Sequence, residues 1–142
     1  MHYPLYLGAD GDIEWHGWRE VPVVAVHDGP LLSKPFELAM PAHFYSRVVG
    51  RWIDIPAGHS TDFFSIPRPF RWYFQVVGQG RTAALLHDWL VDSRPAWTSN
   101  VTATDIFVEA LELAGVGAAR VDVFGWAVLN YGPRWEKQYP YK

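Results

Sequence analysis

The sequence predicts an α+β fold: a small antiparallel β-sheet in the N-terminal part, followed by a loop and three α-helices. Two observations lead to this prediction. Up to residue 56, short β-branched and aromatic stretches alternate with Gly and Pro, as in strands joined by turns. From residue 80 onward, apolar residues recur at the i, i+3, i+4 and i+7 positions that form one face of a helix.

Three strands are expected where alternating or β-branched stretches end at turn residues, over residues 21–26, 34–40 and 51–55. Three helices follow from the apolar spacing. The first covers residues 81–91, the second begins with Thr102 as its N-cap and ends near Ala114, and the third runs from Ala118 to Gly132.

The length of 142 residues predicts one domain, because single domains cluster near about 100–150 residues. Within residues 1–142 the expected parts are a β-rich part, a motif loop, a helical part and a C-terminal tail. Their ranges are 1–56, 57–79, 80–132 and 133–142.

Composition excludes several classes of protein. The net charge of −3 argues against binding nucleic acid through a broad basic surface. The absence of cysteine excludes disulfides, thiolate zinc sites and thiol nucleophiles, so any metal must be held by His, Asp or Glu. The chain has no signal-like N-terminus and no apolar stretch of the roughly 20 residues that span a membrane. A soluble protein made in the cytoplasm is therefore expected.

The loop over residues 57–69 gathers polar side chains that could form a site. Asp62, Ser65 and Arg68 lie within it, and a loop can bring such groups together without a helical period. We expect Asp62 to be a metal ligand and Ser65 and Arg68 to be binding residues. The alternative is a structural turn, in which Asp62 and Ser65 bond to nearby backbone amides.

His87 and Asp88 are adjacent on the first predicted helix. His87 falls on the apolar face, and Asp88, about 100° further round, points toward a neighbouring edge. A histidine that faces inward needs a hydrogen-bond partner. It is either a core residue bonded to a backbone carbonyl or part of a catalytic group that includes a second acid.

Asp105, eighteen positions after His87 on the next helix, is the candidate for that second acid. If its carboxylate accepts the Nδ1 proton of His87, then Nε2 is left free to act as a base. The alternative is a solvent-facing acid near a helix N-terminus, because Glu109 and Glu112 recur on roughly the same face.

Several motifs together resemble one known family. They are Thr61-Asp62-Phe63-x-Ser65-Ile66-Pro67-Arg68, Arg81-x-Ala83-Ala84-Leu85-Leu86-His87-Asp88-Trp89-Leu90, Asp105-x-Phe107 and Trp126-Ala127-Val128. This combination resembles the phage and prophage family of unknown function numbered thirteen fifty-three. The resemblance implies a viral or prophage origin and no established activity.

A shorter stretch is similar to the cysteine-free phospholipase A2 domain of parvovirus capsids. His87-Asp88-Trp89-Leu90-Val91-Asp92 follows the order of that enzyme's His-Asp helix, although Val91 replaces a tyrosine. The resemblance implies that His87 is the base for a water, Asp88 a calcium ligand and Asp105 the residue that orients His87. From the residues alone, the other metal hypothesis is a zinc ion held by histidine nitrogens and carboxylate oxygens.

The expected function is a phage-associated, hydrolase-like protein whose pocket activates water against an ester or amide of a membrane or cell-wall component. The alternatives are a non-enzymatic virion component, such as a tail or connector protein, and a module that binds a host protein. In these alternatives the same polar residues form a structural hydrogen-bond network. Other phage structural proteins or a cell-envelope substrate are the expected partners, and the protein is made in the host cytoplasm, with virion association left open.

Overall fold

The chain contains strands in its first part and helices in its second, so the predicted α+β class is confirmed. The computed structural model describes residues 5–7, 13–26, 36–61, 63, 66–74 and 79–136. The chain divides into two compact units, residues 1–60 and 61–142. The boundary falls inside the last short strand.

Among the described residues, short strands form one two-stranded pair and two three-stranded sheets. The pair is β1–β2, and the sheets have the orders β3-β6-β7 and β4-β5-β8. Pairing is antiparallel for β1 with β2, β3 with β6, β4 with β5 and β6 with β7. The strands are β1 Leu5–Leu7, β2 Ile13–Trp15, β3 Gly17–Trp18, β4 Val24–Val26, β5 Phe36–Leu38, β6 Ala42–Ser46, β7 Arg51–Ile55 and β8 Ser60–Thr61.

The three predicted strands contain β4, β5 and β7, whereas β6 was not predicted. Its side chains nevertheless show a two-residue period, because Ala42, Phe44 and Ser46 are buried and the residues between them are partly exposed. The ring of Trp18 on β3 packs edge-on against Phe44, with 5.1 Å between the ring centroids. Both rings belong to the buried apolar core of the first unit.

In the part of the second unit that the structure describes there are four helices: α1 Arg68–Trp72, α2 Arg81–Ser93, α3 Asn100–Leu113 and α4 Ala118–Tyr131. The last three correspond to the predicted helices, and α1 is too short to show a helical period in the sequence. In the described part of the chain, no helix combines the length and apolar character needed to cross a membrane.

The N-terminus of α3 differs from the prediction. Ser99, not Thr102, is the N-cap, and its hydroxyl oxygen accepts a hydrogen bond from the Thr102 backbone amide at 3.2 Å. Both residue types favour this position, so local preference alone does not choose between them. The helix therefore begins one turn earlier than expected.

The helices bury a continuous apolar core in which α3 packs against both α2 and α4. Aromatic rings connect the helices: Phe74, just after α1, lies 6.0 Å from Phe107 on α3 and 5.0 Å from Phe124 on α4. Most faces of α2 are covered, since residues 83–88, 90 and 91 are all buried. Polar residues on α2 consequently lie inside the unit.

The segment after α4 folds back onto the connection between α2 and α3. The Trp135 indole donates to the Thr98 hydroxyl at 3.3 Å, and the Trp135 carbonyl accepts from the Asn100 amide at 3.1 Å. The Arg94 guanidinium lies 5.2 Å from the centre of the same indole ring. The sequence predicted a tail over residues 133–142; residues 137–142 lie outside the described part of the chain.

Gly80 at the start of α2 is expected to tolerate substitution poorly. Its φ of +77° favours glycine, and an added Cβ would lie 2.8 Å from a methyl carbon of Leu111. Gly115 has a similar φ of +82° with no atom near its would-be Cβ. Gly80→Ala should therefore lower the free energy of unfolding by about 1–3 kcal/mol more than Gly115→Ala does, because only Gly80→Ala overpacks the core. Chemical denaturation of both variants checks this, and equal losses would contradict it.

Candidate functional site

His87 lies in the core of the helical unit, as its place in the apolar pattern of α2 predicts. Its side chain is 3% exposed, and its ring packs against Phe107 of α3, with 5.2 Å between the centroids. Burial lowers the pKa of His87 to about 4, because a charged imidazole would lose its hydration. At neutral pH the ring is therefore uncharged.

Asp88 is fully buried beside it, and the Thr61 hydroxyl donates a hydrogen bond to its Oδ2. The sequence predicted that Asp88 points toward an edge of the helix. That prediction assumed one buried face, whereas the structure covers α2 on most sides. A buried carboxylate needs such a donor, because desolvation without a partner is strongly unfavourable.

Thr61 also fixes the start of the motif loop. Its hydroxyl oxygen accepts a hydrogen bond from the Phe63 backbone amide at 2.8 Å, and both residues are buried. Phe63 has a φ of +65°, a conformation that costs a bulky residue about 1–3 kcal/mol. Its ring packs 6.3 Å from that of Phe74. The hydrogen bond and the buried ring together hold the backbone in this conformation.

The sequence did not single out Thr61 as a site residue. One local signal was present, because a Thr hydroxyl commonly bonds to the amide two residues later. Its partner Asp88 is 27 positions away in the sequence. No local pattern shows a contact at that separation.

Asp105 lies on an exposed part of α3, and its pairing with His87 stays a prediction. His87 contacts Phe107, and Asp105 is two residues earlier on α3, which places it about 200° around the helix axis. Asp105 is exposed, while Ile106 and Phe107 are fully buried. The structure thus brings Asp88 next to His87 along α2 and leaves Asp105 facing solvent.

The spacing argument that grouped the acids of α3 on one solvent-facing side was also wrong in part. Glu109 is buried, whereas Glu112 is exposed. These two residues are three positions apart, so they differ by about 60° around the helix axis. That rotation is enough to move a side chain from the interior to the surface at the margin of a packed face.

Among the predicted loop residues, Arg68 is the first residue of α1 and is exposed. Asp62 and Ser65 lie outside the described residues, so their predicted roles as a metal ligand and a binding residue stay predictions. Arg68 stays a predicted binding residue whose position on the surface is now known.

The calcium or zinc site that the sequence suggested includes Asp62, which lies outside the described residues, so this site stays a prediction. Within the described ranges, no three His, Asp or Glu side chains form a group that could hold a metal ion. Calcium requires about 6–8 oxygen ligands, and one carboxylate oxygen of Asp88, Oδ2, accepts a hydrogen bond from the Thr61 hydroxyl. No chemical step through a metal is therefore derived for this site.

A family model described as "Protein of unknown function (DUF1353)" matches residues 36–128, which is more than half of the chain. The chain belongs to this family. Neither a curated protein nor a solved structure matches it. The DUF1353 match extends from β5 to α4 and includes Thr61, His87 and Asp88. The phage origin and the likeness to phospholipase A2 stay predictions.

The described geometry of this DUF1353 member is that of a buried polar cluster, which we define as Thr61, Phe63, His87 and Asp88. The Thr61 hydroxyl accepts from the Phe63 amide and donates to the Asp88 carboxylate. The neutral His87 imidazole packs against the Phe107 ring. Such an arrangement can hold the loop after β8 against α2. A catalytic base must contact solvent or substrate. The His87 ring, at 3% exposure, offers little surface for such contact.

Proposed function

We propose that this DUF1353 protein works without catalysis, as a component that binds other proteins, and that the buried polar cluster stabilises its helical unit. The burial of His87 is the observation that carries the proposal. A general base must come within hydrogen-bond reach of the proton that it removes, directly or through one water. Asp105, the acid predicted to orient it, is exposed, whereas the His87 side chain is 3% exposed.

Exposed aromatic side chains support the binding part of the proposal. Trp72 is 60% exposed, Trp126 is 55% exposed, and Tyr131 lies against Trp126 with 5.3 Å between ring centroids. Tryptophan and tyrosine are enriched at protein interfaces, where they supply large contact areas with little loss of conformational entropy. Isolated apolar residues are common on surfaces, but three aromatic rings within one small unit are a reason to expect a partner.

The resemblance to a phage and prophage family suggests which assembly contains the partners. We propose a tail or connector component of a virion that contacts other phage structural proteins. Mass spectrometry of particles purified after induction of the encoding strain is expected to find this chain at a constant ratio to known structural proteins. Particles that lack this chain would contradict a virion role. The non-catalytic part of the proposal would then be tested by the Asp105→Asn variant alone.

Asp105→Asn separates binding from hydrolysis. The substitution changes an exposed side chain, so we expect an unchanged melting temperature and a wild-type titre when the variant replaces the natural protein in the producing strain. If Asp105 orients a catalytic imidazole, removal of its charge should instead reduce activity by about 10²-fold or more.

The matched control is Asp122→Asn, which makes the same change at an exposed position on α4. Equal titres of the two variants support the non-enzymatic proposal. A lower titre for a normally folded Asp105→Asn variant, with a wild-type titre for Asp122→Asn, would overturn the proposal and favour the hydrolase hypothesis.

A further inference from the structure

We infer that the outer face of α1, together with the start of α4, binds an acidic segment of a partner protein. This surface, the α1 patch, consists of Arg68, Trp72 and Arg120. The inference rests on the proposed binding function and adds the location and the charge of the partner. The structure supports it through the orientation of α1, the charges around Trp72 and the charge of the whole chain.

Ring contacts fix which side of α1 faces outward. Phe70 and Tyr73 lie 5.8 Å and 4.9 Å from the ring of Phe124 on α4, so these two side chains form the inner face. Arg68 and Trp72 are four residues apart and therefore neighbours on one side of a helix. Both are exposed, and Trp72 is among the most exposed large apolar side chains of the second unit.

Arg120 supplies a second positive charge near this face. It lies one turn before Phe124 on α4, and its guanidinium carbon is 5.5 Å from the centre of the Tyr73 ring. Tyr73 directly follows Trp72, so the Arg120 guanidinium lies near the end of α1 that carries Trp72. Among the described residues, no carboxylate forms an ion pair with Arg68 or Arg120. Their charges are therefore available to an incoming anion.

The charge of the α1 patch favours a short acidic segment over an extended polyanion. Guanidinium groups bind carboxylates through paired hydrogen bonds, and a flanking tryptophan supplies apolar contact area. The chain as a whole has a net charge of −3, which repels nucleic acid and long anionic surfaces outside the patch. A partner protein with a few clustered Asp or Glu side chains meets only the local positive charge.

Binding of a fluorescently labelled hexaglutamate peptide to the intact 142-residue chain tests the inference. At low ionic strength we expect saturable binding that weakens as salt is added. Arg68→Glu should weaken it at least about tenfold, and Trp72→Ala by a similar factor. Two control variants match these changes elsewhere in the protein: Arg134→Glu alters the charge equally beyond the end of α4, and Trp52→Ala removes an exposed indole on β7.

Each outcome decides the inference. Loss of binding in Arg68→Glu and Trp72→Ala, with binding kept in both controls, supports it. No binding, or equal loss in test and control variants, overturns it. Binding to vesicles of phosphatidylcholine and phosphatidylglycerol but not to the hexaglutamate peptide would also overturn it, in favour of a membrane surface. The result is independent of Asp105→Asn, so the inference and the proposed function can fail separately.

Discussion

Between pH 6.5 and pH 4, the free energy of unfolding is expected to fall by about 3 kcal/mol because of His87 alone. In the unfolded chain the imidazole takes up a proton below about pH 6.5. In the folded protein the pKa is about 4, so the ring stays neutral through this range. The unfolded state therefore binds more protons, and stability is lost as the pH decreases toward 4.

The His87→Gln variant isolates this contribution. It lacks a titratable ring, so its free energy of unfolding should change with pH less steeply than that of the wild type across the same range. It should also be less stable at neutral pH, because the packing against Phe107 is lost. Urea denaturation at several pH values measures both effects. Parallel pH profiles for the two proteins would contradict the burial of a neutral imidazole.

Thr61→Val is expected to lower the free energy of unfolding by about 2–4 kcal/mol. Valine has nearly the same shape as threonine, but it cannot donate to Asp88 or accept from the Phe63 amide. Each buried polar group that loses its partner costs about 1–3 kcal/mol. Phe63 is affected further, because the lost hydrogen bond helps to hold its left-handed backbone conformation.

Thr61→Ser is the matched control. It keeps the hydroxyl and removes only a methyl group, so a loss of about 1 kcal/mol is expected. Urea denaturation of both variants gives the comparison. A Thr61→Val variant as stable as Thr61→Ser would show that the hydroxyl contributes little, and the buried polar cluster would lose its stabilising role.

The sequence predicted the helices of the second unit well because their apolar residues repeat with the period of a helix. The prediction for α2 placed His87 inward, and the structure agrees. A helical period identifies the most apolar face, but it does not show how many other faces neighbouring helices cover. For this reason Asp88 and Glu109 were assigned to the surface or an edge, although the structure buries both.

The pairing of His87 with Asp105 illustrates a second limit. Sequence separation showed that both residues lie on consecutive helices, but the rotation of α3 about its axis depends on which side chains pack against α2. Phe107 packs against His87 and Asp105 is exposed, and the pairing itself stays a prediction. The contact between Thr61 and Asp88 could not be predicted either, since it joins a strand end to a helix through tertiary packing.

Titration of the His87 ring by NMR tests most directly whether this imidazole is a buried structural group. Ring carbon and nitrogen shifts, assigned by comparison with His87→Gln, report the protonation state at each pH. We predict a neutral ring down to about pH 5 and a midpoint near pH 4. A midpoint near the ordinary histidine value of 6.5 would show a hydrated imidazole, and it would contradict the structural role proposed for His87.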